Sequence, residues 1–240
     1  MFHPNGPSLA ELAEQALSET TAGYDLLAPK FEFTPFRTPE DILQVVAEHI
    51  GPPGGVARGL DLCCGTGAAL AHLKQRCSQE VLGVDLSAGM LEQARERLES
   101  APGDARFSLE QGDVLEHPLP QDHFDVVTCF GAFGHILEGE QEERFVRQVH
   151  RALKPGGRFL FVTSGAPDNL SWRVWAARAF NAAIHARNAV RSPPFHMYYL
   201  TFRLPRAQAL LEAQGFSLDV EPGLWAHKYK GALLVTATKR

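Results

Sequence analysis

The most constraining stretch of the chain is Gly59-Leu60-Asp61-Leu62-Cys63-Cys64-Gly65-Thr66-Gly67. A short apolar run passes directly into a glycine turn, and the residues after the turn suit a helix. A second apolar run, Val81-Leu82-Gly83-Val84-Asp85, ends in an acid roughly 20 residues beyond the turn. Strand, glycine turn, helix, strand and terminal acid together form the general signature of a nucleotide-cofactor site.

The flanking sequence fits a frame for that site. Ser8 is an N-cap with Glu11 as its capping-box partner, opening a helix through Leu9, Leu12, Ala13 and Ala16. Tyr24 to Pro29 reads as irregular. Pro39, Glu40 and Asp41 open a second helix, which Gly51-Pro52-Pro53-Gly54-Gly55 stops. From there strand and helix alternate. Strands are expected at about 58–64, 81–85, 105–111, 124–130 and 158–163, with helices at about 68–77, 87–100 and 141–153. Alternation with apolar strands implies a mostly parallel sheet covered on both faces. The pattern changes at Gly165-Ala166-Pro167. An aromatic, basic helix is expected over about 170–190 and another over 205–214. Two closing runs, 216–220 and 232–238, suit an antiparallel pair at the end of the sheet. The expected organisation is an N-terminal helical cap (1–55), a core (56–165), an inserted lid (166–204) and a completion of the core sheet (205–240).

Composition excludes several classes. At 240 residues and 45% hydrophobic content the chain can bury a substantial core. Its net charge of −5 gives no reason to expect nucleic acid as a partner. Residues 167–206 hold six arginines against Asp168 alone, so that segment carries +5 and the rest of the chain −10. A solvated basic face accounts for this, as does a local field for an anionic small molecule. Cys63, Cys64, Cys77 and Cys129 lack paired zinc-site spacing and read as small reduced residues. No run approaches the ~20 apolar residues of a membrane span. Met1 to Pro7 lacks the pattern of a signal peptide, so a cytoplasmic protein is expected.

Two cofactor chemistries compete for residues 59–85. A dinucleotide fingerprint needs a third glycine, yet Gly65-Thr66-Gly67-Ala68-Ala69-Leu70 ends in leucine. Asp61 would also repel a diphosphate. The same carboxylate suits a cofactor that carries positive charge, such as S-adenosyl-L-methionine with its sulfonium and ammonium.

At these residues the chain resembles the class I S-adenosylmethionine-dependent methyltransferases, in particular the small-molecule enzymes of ubiquinone-biosynthesis type. Asp61 to Gly67 is similar to their D/E-x-G-x-G-x-G motif, with Cys63 at the first glycine, where the backbone carbonyl is still available. The similarity continues in order through Val81–Leu91, Gln111–Val114, Phe124–Phe130, Leu153–Phe159 and Leu210–Phe216. It implies a Rossmann-like, doubly wound, mostly parallel seven-stranded sheet with an antiparallel C-terminal strand and a helical cap.

The resemblance also assigns roles. Cys63, Gly65 and Gly67 would bring backbone against the methionine part of the cofactor, and Asp61 would orient the turn or meet the ammonium through water. Asp85 would accept both ribose hydroxyls; otherwise it is a solvated strand end. Leu86 and Met90 would contact adenine, although a core role also suits Met90. Asp113 would accept from the adenine amino group, with the Val114 N–H on the ring; an N-cap is the alternative for Asp113. Phe130 would line the methyl-transfer side through its backbone. Tyr24, within a Tyr-Asp pair, would cover the cofactor or simply pack.

Methyl transfer needs position and water exclusion more than acid–base chemistry. Should the acceptor have to lose a proton, His135 is a candidate base, and a backbone-satisfying turn histidine is the alternative. His196, Tyr198 and Tyr199 lie in the lid and either face the acceptor or pack. Arg173, Arg178 and Arg187 are candidate partners for an acidic group on the acceptor. Packing over the pocket suits the lid helix better than lying on a membrane surface. The expected function is methylation of a small molecule. The alternatives are a non-catalytic S-adenosylmethionine-binding module and an RNA or protein methyltransferase. The acceptor and the oligomeric state stay open.

Overall fold

In the computed structural model, which describes residues 3–165, 169–225, 228–229 and 231–240, the described residues form one seven-stranded sheet. The strands are β1 (Val56–Leu62), β2 (Cys77–Asp85), β3 (Arg106–Gln111), β4 (Phe124–Thr128), β5 (Leu153–Ser164), β6 (Phe216–Pro222) and β7 (Ala232–Lys239). Their order across the sheet is β3-β2-β1-β4-β5-β7-β6. The pairs among β1 to β5 are parallel, whereas β7 runs antiparallel to both β5 and β6. This is the expected doubly wound sheet with an antiparallel C-terminal strand. Strand order reverses between β1 and β4, so a crevice opens at their carboxyl ends.

Helices α1 (Leu9–Leu17), α2 (Thr20–Leu27) and α3 (Glu40–Ile50) precede the sheet. Then follow α4 (Ala68–Arg76), α5 (Ala88–Ser100), α6 (Glu140–Ala152), α7 (Trp172–Val190) and α8 (Arg206–Ala213). The period-two alternation of the strands sorts side chains to two cores. Val126 and Leu160 face Ile42, Val46, Leu70, Leu73 and Leu98 on the side of α3, α4 and α5. Val127, Phe159 and Phe161 face Phe145, Val149 and Leu211 on the side of α6 and α8. Each fully buried side chain of this size contributes about 1.5–3 kcal/mol before chain entropy is subtracted. At Gly83 an added Cβ would stand 2.5 Å from Leu70 Cδ2 and 2.9 Å from Leu109 Cδ2, so the missing side chain lets α4 sit close on the sheet.

Local signals act as expected at several ends. The Ser8–Glu11 box closes with bonds of 3.2 and 2.7 Å. Ser87 caps α5 by accepting from the Met90 N–H at 3.1 Å. All four cysteines are free. Elsewhere the structure differs from expectation. The segment from Tyr24 is helical through Leu27 and continues as a 3-10 helix over Ala28–Phe33. Pro29 sits in the first turn of that helix, where its missing N–H leaves no bond unmade. Strand β2 begins four residues early because its leading end pairs with β1, Val56 opposite Cys77 and Arg58 opposite Glu80. Strand β5 begins at Leu153, opposite Phe124, and the Pro155-Gly156-Gly157 turn is an irregularity inside it. After residues 166–204 the chain returns beside its point of departure. The Leu204 N–H donates to Ser164 O at 3.1 Å, and Thr163 Oγ1 donates to Phe202 O at 2.8 Å.

Candidate active site

Beyond Leu62 the backbone turns by placing Cys63 (φ 55°), Gly65 (φ 52°) and Gly67 (φ 77°) in the left-handed region. Cys63 therefore occupies a glycine-type conformation, at a strain of about 1–2 kcal/mol. Its suitability for the glycine position is a matter of backbone conformation as well as of an available carbonyl. The two glycines divide the work. A Cβ at Gly65 would meet nothing within 4 Å, whereas one at Gly67 would lie 3.0 Å from Ala94 Cβ. Gly67 thus packs α4 against α5 behind the pocket wall, and Gly65 opens onto the pocket. The 3-10 helix braces the turn from the other side. Thr66 Oγ1 donates to Glu32 at 2.5 Å, and Glu32 also holds Arg97 at 2.8 Å.

Two acids flank the turn. Asp61 is 2% exposed and accepts from Thr128 Oγ1 at 2.7 Å. Burial pushes its carboxyl up to about 7, against the pull of the Thr128 bond. The two oxygens of Asp85 accept from the Gly65 N–H at 2.8 Å and the Ser87 N–H at 2.9 Å. Its enclosure raises the pKa, although those N–H groups favour the ionised form. Each oxygen keeps a lone pair for a further donor. Asp113 is exposed, and its Oδ1 accepts from the Leu115 N–H at 2.9 Å in a capping turn. Val114 and Met90 are buried, while Leu86 is 42% exposed.

These groups line one cavity of about 770 Å³. Tyr24, Asp61, Cys63, Gly65, Asp85, Leu86, Met90, Asp113, Val114 and Phe130 all border it, and so do His135, His196, Tyr198 and Tyr199. Of the residues expected to hold the cofactor, Gly67 alone lies outside the lining. Carboxylates at the glycine turn disfavour a diphosphate there. A buried acid whose pKa is driven up by desolvation is relieved by a nearby cation, so these residues fit a cationic adenosyl cofactor.

Past the glycine turn, β4 leads to a 3-10 helix, Phe133–His135. His135 Nδ1 is bonded to His196 O, and its Nε2 lies 2.9 Å from Tyr24 Oη. A carbonyl only accepts, so Nδ1 carries the proton and neutral Nε2 accepts from the Tyr24 hydroxyl. Burial lowers the His135 pKa and raises that of Tyr24, which keeps this arrangement neutral. His135 thus satisfies a backbone carbonyl, as the turn alternative supposes, and still faces the cavity. The ring of Tyr198 stacks on His185 at 4.6 Å, and that of Tyr199 packs on Phe180 at 5.1 Å. The side chain of His196 leaves Nδ1 buried without a partner among the described residues.

The arginines considered for an acidic acceptor group stand elsewhere. Arg187 donates to Leu17 O and Ser18 O at 2.8 Å, tying α7 to the end of α1. Arg178 donates to Asn169 Oδ1 at 2.7 Å and lies over the Trp175 ring. Arg173 lies over Trp172. None of the three lines the cavity, whereas Arg37 and Arg203 do. Sequence reasoning also passed over Thr128, Glu32 and Thr66, and it gave Asp25 no role of its own. Asp25 accepts from Ser87 Oγ at 2.5 Å and the Gly89 N–H at 2.9 Å, docking α2 on the start of α5. Its place beside Tyr24 was the available signal.

The family model described as a methyltransferase domain matches residues 60–157. A demethylmenaquinone methyltransferase from Thermus thermophilus is 31% identical over 172 residues, 68% of this chain and 76% of that protein. A ubiquinone/menaquinone biosynthesis C-methyltransferase from Azotobacter vinelandii is 37% identical over 134 residues, 52% of this chain and 51% of that one. Apart from the Thermus protein, the chain spans about half the length of these curated relatives. Among solved structures, an S-adenosylmethionine dependent methyltransferase from Mesorhizobium loti superposes with TM-score 0.57 at 24% identity, covering 81% of this chain and 96% of that one. A phosphoethanolamine N-methyltransferase from Haemonchus contortus, solved with S-adenosyl-L-methionine, gives TM-score 0.59 at 19% identity, covering 83% and 52%. These two structures share the fold. With the family model spanning β1 to the turn within β5, and the Thermus relative aligned over most of its length, the chain belongs to the class I S-adenosylmethionine-dependent methyltransferases.

Proposed function

We propose that the protein transfers a methyl group from S-adenosyl-L-methionine to a small-molecule acceptor. The observation that carries this is the continuity of one cavity from Asp61 and Asp85 at the glycine turn to the Tyr24–His135 pair. A binding module without catalysis has no need of the room beyond the turn. When bound, the cofactor supplies an electrophilic methyl on a sulfonium. Asp85 holds the ribose hydroxyls, Leu86, Met90, Asp113 and Val114 hold the adenine, and Asp61 faces the ammonium. Cys63, Gly65 and the Phe130 backbone border the methionine part, and Gly67 sets the turn from behind.

Residues 166–204 act as the lid and residues 1–55 as the cap. The lid brings Tyr198 and Tyr199 to the cavity, and the cap brings Tyr24 and Phe31. An acceptor hydroxyl hydrogen-bonded to Tyr24 Oη passes its proton to that oxygen as the Tyr24 proton moves to His135 Nε2. The resulting imidazolium keeps its Nδ1–H on His196 O. The Thermus and Azotobacter relatives are named for demethylmenaquinone and for ubiquinone/menaquinone biosynthesis, and the aromatic walls Phe31, Phe36, Phe130 and Phe133 support an aromatic, quinone-type acceptor. An acidic substituent on it would meet Arg37 and Arg203. The test is incubation with methyl-labelled cofactor and a panel of reduced quinones and phenols. Label in a small-molecule product supports the proposal. Label only in RNA or protein from a mixed extract overturns it.

A further inference from the structure

The long helix α7 turns a continuous apolar stripe to solvent. Residues Trp172, Trp175, Ala179, Ala183, Ala186 and Val190 follow one another at steps of three and four, so they share one face. All six are exposed, Trp172 at 74%, Trp175 at 58% and Val190 at 87%. The inward side holds the buried Val174 and Ile184. Two exposed tryptophans on one helix face are unusual in a soluble domain, where such residues are mostly covered. The charged residues of α7 itself are all basic. Arg173 and Arg178 are exposed and lie over the Trp172 and Trp175 rings at 6.0 and 5.0 Å. Arg191 is exposed at the other end, and no acid occurs between Asn169 and Arg206.

We infer that this face of α7 docks on an anionic lipid surface. The 19-residue helix offers a flat face about 28 Å long. An apolar stripe with tryptophan at one end and arginines along its edges is the composition that lies in a membrane interface. A second copy of the chain fits less well. A two-fold contact of helix on helix would set one arginine-edged stripe against another with no acid on either helix. The other side of the helix carries the cavity wall, since Asn181 bonds the Tyr199 backbone at 2.9 Å in both directions and His185 stacks on Tyr198. Docking would therefore place the cavity next to the lipid. The inference stands independently of which acceptor is methylated.

The test is co-sedimentation of the full chain with vesicles of phosphatidylcholine, alone or mixed with phosphatidylglycerol, at low and high salt. Tryptophan emission is read in parallel, since Trp225 is buried and the two exposed tryptophans dominate any shift. The expected result is binding to the anionic vesicles that salt weakens, with a blue shift. The double variant Trp172→Ser/Trp175→Ser should lose about tenfold or more in partitioning, with thermal melting and S-adenosylhomocysteine affinity unchanged. Replacing Leu9, an exposed residue of α1, by serine should leave binding unchanged. Equal binding to neutral and anionic vesicles, or undiminished binding by the double variant, would overturn the inference. So would a dimer in sedimentation equilibrium that the double variant abolishes while vesicles stay unbound.

Discussion

Replacing Asp61 by asparagine should stabilise the ligand-free protein and weaken cofactor binding, and the two effects should depend on pH in linked ways. The carboxyl has an ordinary pKa of 3.8 and is pushed up to about 7 in the fold. The stability associated with its proton is fully present below about 3.8 and is lost as pH rises to about 7. Complete ionisation then corresponds to about 4 kcal/mol, and relaxation around the charge brings the expected cost to about 2–4 kcal/mol. Asparagine keeps an acceptor for Thr128 and carries no charge. For a chain of this size the variant should melt roughly 5–15 °C above wild type at pH 8, with the gap narrowing toward pH 5. Ligand binding should run the other way. A cofactor ammonium near Asp61 favours its ionised form, so wild-type affinity for S-adenosylhomocysteine should rise with pH up to about 7 and then level off. The variant should lose about 10- to 100-fold in affinity at pH 8, worth roughly 1.4–2.8 kcal/mol, and lose most of the pH dependence. Melting curves and calorimetric titrations over pH 5–9 measure both. Equal stability of the two proteins at pH 8, together with pH-independent binding in wild type, would refute the reasoning.

Three further outcomes follow from other parts of the molecule. Tyr24→Phe removes the hydroxyl that bonds His135 and should lower turnover of a hydroxyl acceptor by about 100-fold, most of all at low pH, with cofactor affinity little changed by calorimetry. Gly83→Val forces side-chain atoms into Leu70 and Leu109 and should destabilise the fold by about 1–3 kcal/mol in urea unfolding. Lys74→Met deletes the ammonium that donates to Leu98 O and Ala101 O at 2.8 Å each. With those carbonyls left unpaired, it should cost about 1–3 kcal/mol in the same assay.

Much of the frame was legible because its signals are local. The glycine turn, the acid closing β2 and the Ser87 cap each lie within a few residues of what they control. The sheet follows from strand–helix alternation, and the antiparallel end from two closely spaced runs. What escaped depends on partners far apart in the chain. Tyr24 meets His135 and Glu32 meets Thr66 across 111 and 34 residues, and no periodicity announces either contact. The Arg173, Arg178 and Arg187 side chains were visible as a charge excess, yet charge counts carry no direction, and in the fold they stack on rings or cap α1. The lid helix was expected to pack over the pocket, and its inner side meets the cavity-lining Tyr198 and Tyr199 through His185 and Asn181, while Trp172 and Trp175 stand exposed on its outer face. Cys63 was legible as an altered glycine position, but its left-handed backbone appears only in three dimensions.

Calorimetric titration of the protein with S-adenosylhomocysteine and, separately, with NADH, repeated on Asp85→Ala, tests most directly which cofactor the glycine turn takes. The expected result is saturable binding of S-adenosylhomocysteine that the substitution abolishes, with no heat from NADH. Binding of NADH alone, or S-adenosylhomocysteine binding that Asp85→Ala leaves intact, would contradict it.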